Sequence, residues 1–249
     1  EGCAVTHRAS LVLRLTDGFR GQPVASAAAV RFWLNGQAVK PLYKPGGWFV
    51  LIDLPPGEYT VRVDGPGFCP LEWTAVLPDG TGFLEYYREL NPAEDYPFGG
   101  AAVRFYGTVL VSGTPAAGRE ALLIQPGRGQ IKLAEDGVEA GRERLRLFLS
   151  SRNLMQAVPG EFFLPDGKSS ETVMLMEERD GLFLLAAPLR AAHKRGTALY
   201  PVRRYQTGAD GRFFAALMGA AQAVLYLEAD GTYRRFVVDA ASGEQTFAL

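Results

Sequence analysis

Leu54-Pro55-Pro56-Gly57-Glu58-Tyr59-Thr60-Val61-Arg62-Val63, followed closely by Gly67-Phe68, is the stretch that decides the fold. Proline fixes φ ahead of a turn and Gly57 supplies backbone freedom. Tyr59, Val61 and Val63 then alternate with Glu58, Thr60 and Arg62, the period of a strand with one buried and one solvated face. Toward the N-terminus, Leu11, Leu13 and Leu15 alternate with Val12 and Arg14 ahead of Asp17-Gly18. Val30, Phe32 and Leu34 run into Asn35-Gly36, a tight-hairpin signal, and Gly46-Gly47 opens Trp48-Phe49-Val50-Leu51-Ile52. Leu71, Trp73 and Ala75 supply a last strand. Short strands with no helical period among them predict a small antiparallel sandwich over residues 1–78.

Residues 79–102 change character. Asp79-Gly80, Asn91-Pro92, Tyr96-Pro97 and Gly99-Gly100 are spaced through aromatic and acidic residues, which reads as a linker that docks on a neighbour. Its Tyr86, Tyr87, Leu90, Tyr96 and Phe98 are the candidate partner-binding residues. A second sandwich is expected over 103–249, from Val103-Arg104-Phe105-Tyr106-Gly107-Thr108-Val109 and Ala121-Leu122-Leu123-Ile124 to the runs Ala223–Leu227 and Tyr233–Val238. Gly219 interrupts the Ala-rich segment 213–225, which favours a hairpin there over a helix. An insertion at about 126–195 breaks the pattern, and it is either an interaction surface or lid, or else a third packing layer or a separate subdomain. Within it, Glu143 to Val158 is the best helix candidate, although Leu145, Leu147 and Leu149 also alternate. Glu171–Met176 and Leu182–Leu185 read as a hairpin around Asp180-Gly181.

The 249 residues are 47% hydrophobic and 21% charged with a formal net charge of -1, ordinary globular material without a basic field for nucleic acid. Arg142-Glu143-Arg144-Leu145-Arg146 and His193-Lys194-Arg195 are short enough to be solvated surface. No apolar run reaches the roughly 20 residues of a membrane span, and the opening residues do not read as a signal peptide. A soluble chain is expected, in a bacterial cytoplasm or on an extracellular particle or surface. Cys3 and Cys69 are either one bridge or two thiols.

Chemistry is sparse. His7 and His193 are the two histidines, no Gly-x-Ser-x-Gly elbow occurs, and no His or Cys spacing suits zinc, so no catalytic residue, metal or cofactor is assigned. His193 is expected in an exposed turn. Single acids before glycine at Asp166, Asp180, Asp210 and Asp230 lack the oxygens of a calcium loop and read as hairpin turns. Glu177, Glu178 and Asp180 form the densest carboxylate group, expected to be solvated. Trp33, Trp48 and Trp73 offer stacking faces for sugars, but Trp33 and Trp48 lie in strand patterns that predict core burial.

The order Gly107-Thr108-Val109, Gly113 through Gly118 and Asp210-Gly211-Arg212-Phe213 resembles the transthyretin-like, carboxypeptidase-regulatory family of β-sandwiches. In the first half the matching residues are Gly21-Gln22-Pro23-Val24, Gly46-Gly47-Trp48-Phe49 and Leu54 through Tyr59 with Gly67-Phe68. The related hydroxyisourate hydrolases end near Tyr-Arg-Gly-Ser, where this chain has Tyr233-Arg234-Arg235-Phe236, so that activity is not implied. The resemblance implies an all-β chain of two antiparallel, transthyretin-like or Ig-like sandwiches. By analogy it implies a non-catalytic adaptor or decoration subunit of a bacterial or phage-tail-like contractile injection assembly, bound to other protein subunits. A carbohydrate-binding or adhesion module is the alternative.

Overall fold

The computed structural model describes residues 7–80, 82–100, 102–125, 131–149, 160–219 and 222–249. These residues form an all-β fold with a few 3-10 turns, and the chain divides into two compact units, Glu1–Gly99 and Gly100–Leu249.

The first unit holds β1 (Ala9–Asp17), β2 (Gln22–Pro23), β3 (Arg31–Leu34), β4 (Gln37–Val39), β5 (Leu42–Lys44), β6 (Trp48–Ile52), β7 (Gly57–Gly65), β8 (Phe68–Leu77) and β9 (Leu84–Leu90). One sheet runs β2-β1-β6-β5 with β9 also paired to β1, and the other runs β4-β3-β7-β8. Leu11, Leu13, Leu15, Phe49 and Leu51 from the first meet Phe32, Leu34, Val61, Val63 and Ala75 from the second in one core. The alternation read from the sequence is therefore the inward and outward pleat of two facing sheets. Asn35 and Gly36 both have positive φ (48° and 78°), as a two-residue hairpin turn of type I′ requires. The same pairing recurs at Ser112-Gly113, Asp180-Gly181 and Asp230-Gly231.

The segment expected to be a linker contains a strand of this sandwich. β9 lies parallel to β1, with Leu11 opposite Leu84 and Asp17 opposite Leu90. Leu84, Tyr86 and Leu90 turn toward the core while Glu85, Tyr87 and Glu89 turn away. Flanking glycines and acids made this alternation look like loop, whereas the edge of the sheet needed one more strand.

The second unit begins with β10 (Ala102–Val111), β11 (Thr114–Pro115) and β12 (Glu120–Ile124). It ends with β20 (Arg203–Gln206), β21 (Arg212–Met218), β22 (Gln222–Ala229), β23 (Thr232–Asp239) and β24 (Glu244–Ala248). One sheet places β10 between β21 and the β11 hairpin, with β24 paired to it in parallel, and the other runs β20-β12-β22-β23. The strand order repeats that of the first unit: β10, β21 and β24 stand as β1, β6 and β9 do, and β20-β12-β22-β23 as β4-β3-β7-β8 do. Among the described residues β5, paired to β6 in the first unit, has no counterpart beside β21, and the largest difference lies at one hairpin. Asn35-Gly36 joins β3 to β4, while residues 125–202 join β12 to β20.

Those residues carry β13 (Ile131–Leu133), β14 (Arg144–Leu145), β15 (Leu147–Leu149), β16 (Gly160–Leu164), β17 (Glu171–Arg179), β18 (Leu182–Leu185) and β19 (Ala198–Pro201). Their sheet order is β14-β18-β17-β16-β19-β13-β15. Its two ends, β14 and β15, are consecutive pieces of one segment, so the sheet closes on itself as a small barrel and leaves no free edge. Ile131, Leu133, Leu145, Phe162, Leu164, Val173, Leu175, Phe183 and Leu199 fill it. The segment expected to begin a helix at Glu143 is strand instead over 144–149, because Leu145, Leu147 and Leu149 all face this core. The rest of that segment lies outside the described residues. The insertion also runs past its expected end near 195, since β19 belongs to the barrel.

β12 and β22 are buried on both faces. Ala121, Leu123, Leu225 and Leu227 face the sandwich core, while Leu122, Ile124, Val224 and Tyr226 face outward onto Phe163 of the barrel. Their unbroken apolar runs follow from that double burial. The barrel is thus a third layer with a core of its own.

Candidate functional site

Asp17 closes β1 at a chain reversal. Its Oδ1 accepts from the backbone N–H groups of Phe19 (2.9 Å) and Arg20 (3.0 Å), and its Oδ2 accepts from the Tyr96 hydroxyl at 2.5 Å. Tyr96 is buried amid Phe19, Phe68 and Phe98, with ring centroids 4.9–5.6 Å away. Leu90 is fully buried in the same unit. Of the five residues predicted to bind a partner, Leu90 and Tyr96 therefore serve the interior. Tyr86 is half-buried beside Trp73 at the edge between the two sheets, and Phe98 is half-buried over Phe19. Tyr87 alone among them lies on an outer sheet face, edge-on to Trp48 with Arg14 above the indole.

Burial, the bond to Asp17 and the charge of Asp17 together push the Tyr96 hydroxyl up to about 12, against a smaller opposing pull from Arg20. A group whose folded pKa is raised adds stability that is fully present below its unfolded value near 10. That increment is lost as pH rises through about 12. Urea titrations from pH 8 upward are expected to show the native chain losing its advantage over Tyr96→Phe across this window. Parallel curves for the two proteins would contradict the assignment.

His193 was expected in an exposed turn and is 2% exposed inside the barrel. Its Nδ1 lies 3.1 Å from Asp166 Oδ2 and its Nε2 lies 2.8 Å from Glu171 Oε1. Glu171 also accepts from the backbone N–H groups of Arg190 (2.9 Å) and Ala191 (3.1 Å). The backbone of His193 pairs in both directions with Val138. Every one of these contacts ties the 186–197 loop to the barrel wall, so the cluster is a structural clasp. Glu171 was missed in the sequence, although period-2 alternation puts it on the same face as Val173 and Leu175. His7 is exposed and contacts Asp53 (2.5 Å), whose carboxyl is held low first by the Arg8 backbone N–H and then by His7.

The remaining charged candidates are paired. Arg142 bonds Glu135 at 2.9 Å and Arg195 bonds Asp136 at 3.3 Å, which occupies part of both basic stretches. Glu177 pairs with Arg179 (2.9 Å), and Glu178 accepts from the Gly181 backbone N–H (2.7 Å) in the hairpin turn. Asp166 precedes a 3-10 turn and turns its carboxylate to His193, while Asp210 accepts from the Arg212 backbone, so neither acid sits in a two-residue hairpin. Cys69 is half-buried, its thiol pushed up by burial and then by Asp95 and Glu94. Cys3, and with it the expected bridge, lies outside the described residues. Among the described residues no group of His, Cys, Asp and Glu could hold a metal ion, and no helix is long and apolar enough to cross a membrane.

Trp33 and Trp48 were expected in the core, yet both are half-exposed on outer sheet faces. Trp33 sits in a row across the whole sheet, Ala38-Trp33-Arg62-Glu72, set by the β4-β3-β7-β8 register. The Arg62 and Arg31 guanidiniums lie 5.5 and 5.8 Å from its ring centroid, and Asp64 pairs with both. Trp33, Gly36, Thr60, Arg62 and Glu72 line a depression of about 290 Å³.

No family model matches the chain and no curated protein matches it, so the transthyretin-like resemblance stays at the level of sandwich architecture. Solved structures similar to the chain include a streptococcal ancillary pilin (10% identity, TM-score 0.28, covering 97% of this chain and 61% of the pilin). BcpA, the major pilin subunit of Bacillus cereus, is 11% identical with a TM-score of 0.28, over 98% of this chain and 99% of that one. A candidate carbohydrate-binding protein from Bacteroides uniformis is 11% identical with a TM-score of 0.27, over 93% and 98%. The chain spans less than two thirds of the streptococcal pilin. At these values the likeness is to a β-rich architecture and to nothing finer.

Proposed function

We propose that this chain is a non-catalytic structural and interaction subunit. It acts as an adaptor or decoration piece of a larger bacterial surface or phage-tail-like assembly, and its barrel is the displayed element. The observation that carries this reading is the largest difference between two sandwiches of similar strand order: a two-residue turn in the first is a closed, self-filled barrel in the second. A hairpin that closes with two residues does not need residues 125–202 for its turn; what they add is a layer over Leu122, Ile124, Val224 and Tyr226 and the surface which that layer presents. The buried His193 and Glu171 on that barrel hold a loop in place, and of the carboxylates at the 177–180 turn Glu177 sits in an ion pair and Glu178 in a turn cap.

The test compares the native chain with a variant in which 125–202 is replaced by Asn-Gly, sedimented in lysate of the source organism with co-migrating proteins identified. Native protein is expected to travel with a large particle, and the shortened, folded variant to travel alone. Native protein migrating alone at monomer size, or equal co-migration of both, would overturn the reading.

A further inference from the structure

We infer that the outer face of the β4-β3-β7-β8 sheet is a binding site for a neutral pyranose sugar, centred on Trp33. The inference starts from an aromatic ring that the strand pattern did not bury. Phe32 and Leu34, on either side of Trp33, are anchored in the core at 2% and 6% exposure. They fix the backbone that carries the indole, so the ring is presented on a rigid strand and little ordering is left for a ligand to bring about. Its neighbours on the β4 side are Ala38 and the turn glycine Gly36, which leave that flank low. On the other flank Arg62, Thr60 and Glu72 rise from β7 and β8 to complete the depression of about 290 Å³. That volume lies at the small end of ligand pockets, the scale of a sugar ring.

The chemistry of the lining selects the ligand class. A pyranose has one face of C–H groups that packs on an indole and a rim of hydroxyls that both donate and accept. Arg31 and Arg62 supply planar donor forks held over the ring, where a hydroxyl rim meets them as the sugar packs on the exposed part of the indole. Glu72 supplies a carboxylate acceptor, and Thr60 a hydroxyl of either role. Two guanidiniums face two carboxylates, Asp64 and Glu72, so the formal charges of the patch balance and neither an acidic nor a basic ligand is favoured. Trp48 provides the contrast within the same unit. Its ring has Tyr87 at 5.7 Å and one guanidinium, Arg14, over it at 5.6 Å where Trp33 has two, and the Arg14 Nε is buried, which leaves fewer groups to bind hydroxyls.

The experiment is calorimetric titration of the full chain with linear hexasaccharides of glucose, mannose, galactose and xylose in α and β linkages, and with polygalacturonate as the acidic control. At least one neutral hexasaccharide is expected to bind. Trp33→Ala is expected to weaken that binding about 10-fold or more, and Trp48→Phe to leave it within about twofold. Arg62→Ala, on an exposed side chain that leaves the indole in place, is expected to weaken it as well. The inference is overturned if the native chain binds none of the neutral panel at about millimolar concentration, if binding survives Trp33→Ala, or if the acidic polymer binds more tightly than every neutral sugar. Because none of these readings involves the barrel, they stand apart from the assembly test above.

Discussion

Glu171→Ala is expected to destabilise the chain by about 3 kcal/mol or more in urea unfolding, because a buried acceptor shared by several donors is lost. The side chain is 3% exposed and its two oxygens accept from the His193 ring and from two backbone N–H groups. Alanine leaves the buried His193 ring and two part-buried backbone N–H groups without that acceptor, and each unmet buried group costs about 1–3 kcal/mol. Arg190, 3.7 Å from the carboxylate and largely exposed, turns to water and adds little. Glu171→Gln keeps one accepting oxygen and is expected to fall between the two. His193→Ala removes the ring's contacts with Glu171 and the more exposed Asp166 and leaves the backbone donors satisfied, so it should cost less than Glu171→Ala, and the double variant should cost less than the sum. A Glu171→Ala protein within about 1 kcal/mol of native would mean that the clasp adds nothing to the barrel.

The turns and the pleat of the sandwiches were legible because both are local. Asn35-Gly36, Asp180-Gly181 and Asp230-Gly231 state their own backbone geometry, and Val61-Arg62-Val63 states which way its side chains face. The barrel was not legible as a barrel, because closure is a pairing of β13 with β15 and of β14 with β18 across long stretches of chain. β9 was lost for a related reason. Its alternation is sound, but a parallel partner placed at the start of the unit leaves no turn signal beside it. Site residues were read least well. Tyr96 and Leu90 looked displayed because they sit among polar residues, and Trp33 looked buried because it sits among apolar ones. In each case the face of the pleat decided the outcome, against the composition of the neighbourhood.

Phe163→Ala is expected to separate the barrel from the sandwich that carries it. Phe163 follows Phe162 on β16, and the pleat sends the two in opposite directions: Phe162 into the barrel core, Phe163 out of it. Fully buried, Phe163 packs between Tyr226 at 4.4 Å and Tyr233 at 5.0 Å, over Leu122, Ile124 and Val224. Truncation of such a side chain removes about 3–5 kcal/mol, and here the loss falls on the contact between layers and spares both cores. One polar tie remains. Arg204 on β20 pairs with Glu161 of β16 and Glu120 of β12, and although burial alone would lower its pKa, those two carboxylates raise it on balance. Glu161 stands two residues before Phe163, so β16 carries both an apolar and an ionic attachment. With the aromatic contact gone, the barrel and sandwich have little reason to unfold together, because each closes its own core. Calorimetry of Phe163→Ala should therefore show an additional transition, one for the barrel and one for the sandwich, where the native second unit melts as one. Adding Arg204→Ala should widen the gap between them. A single transition shifted down in temperature would mean that the barrel draws its stability from the sheet beneath it, and that the insertion folds only as the third layer of this unit.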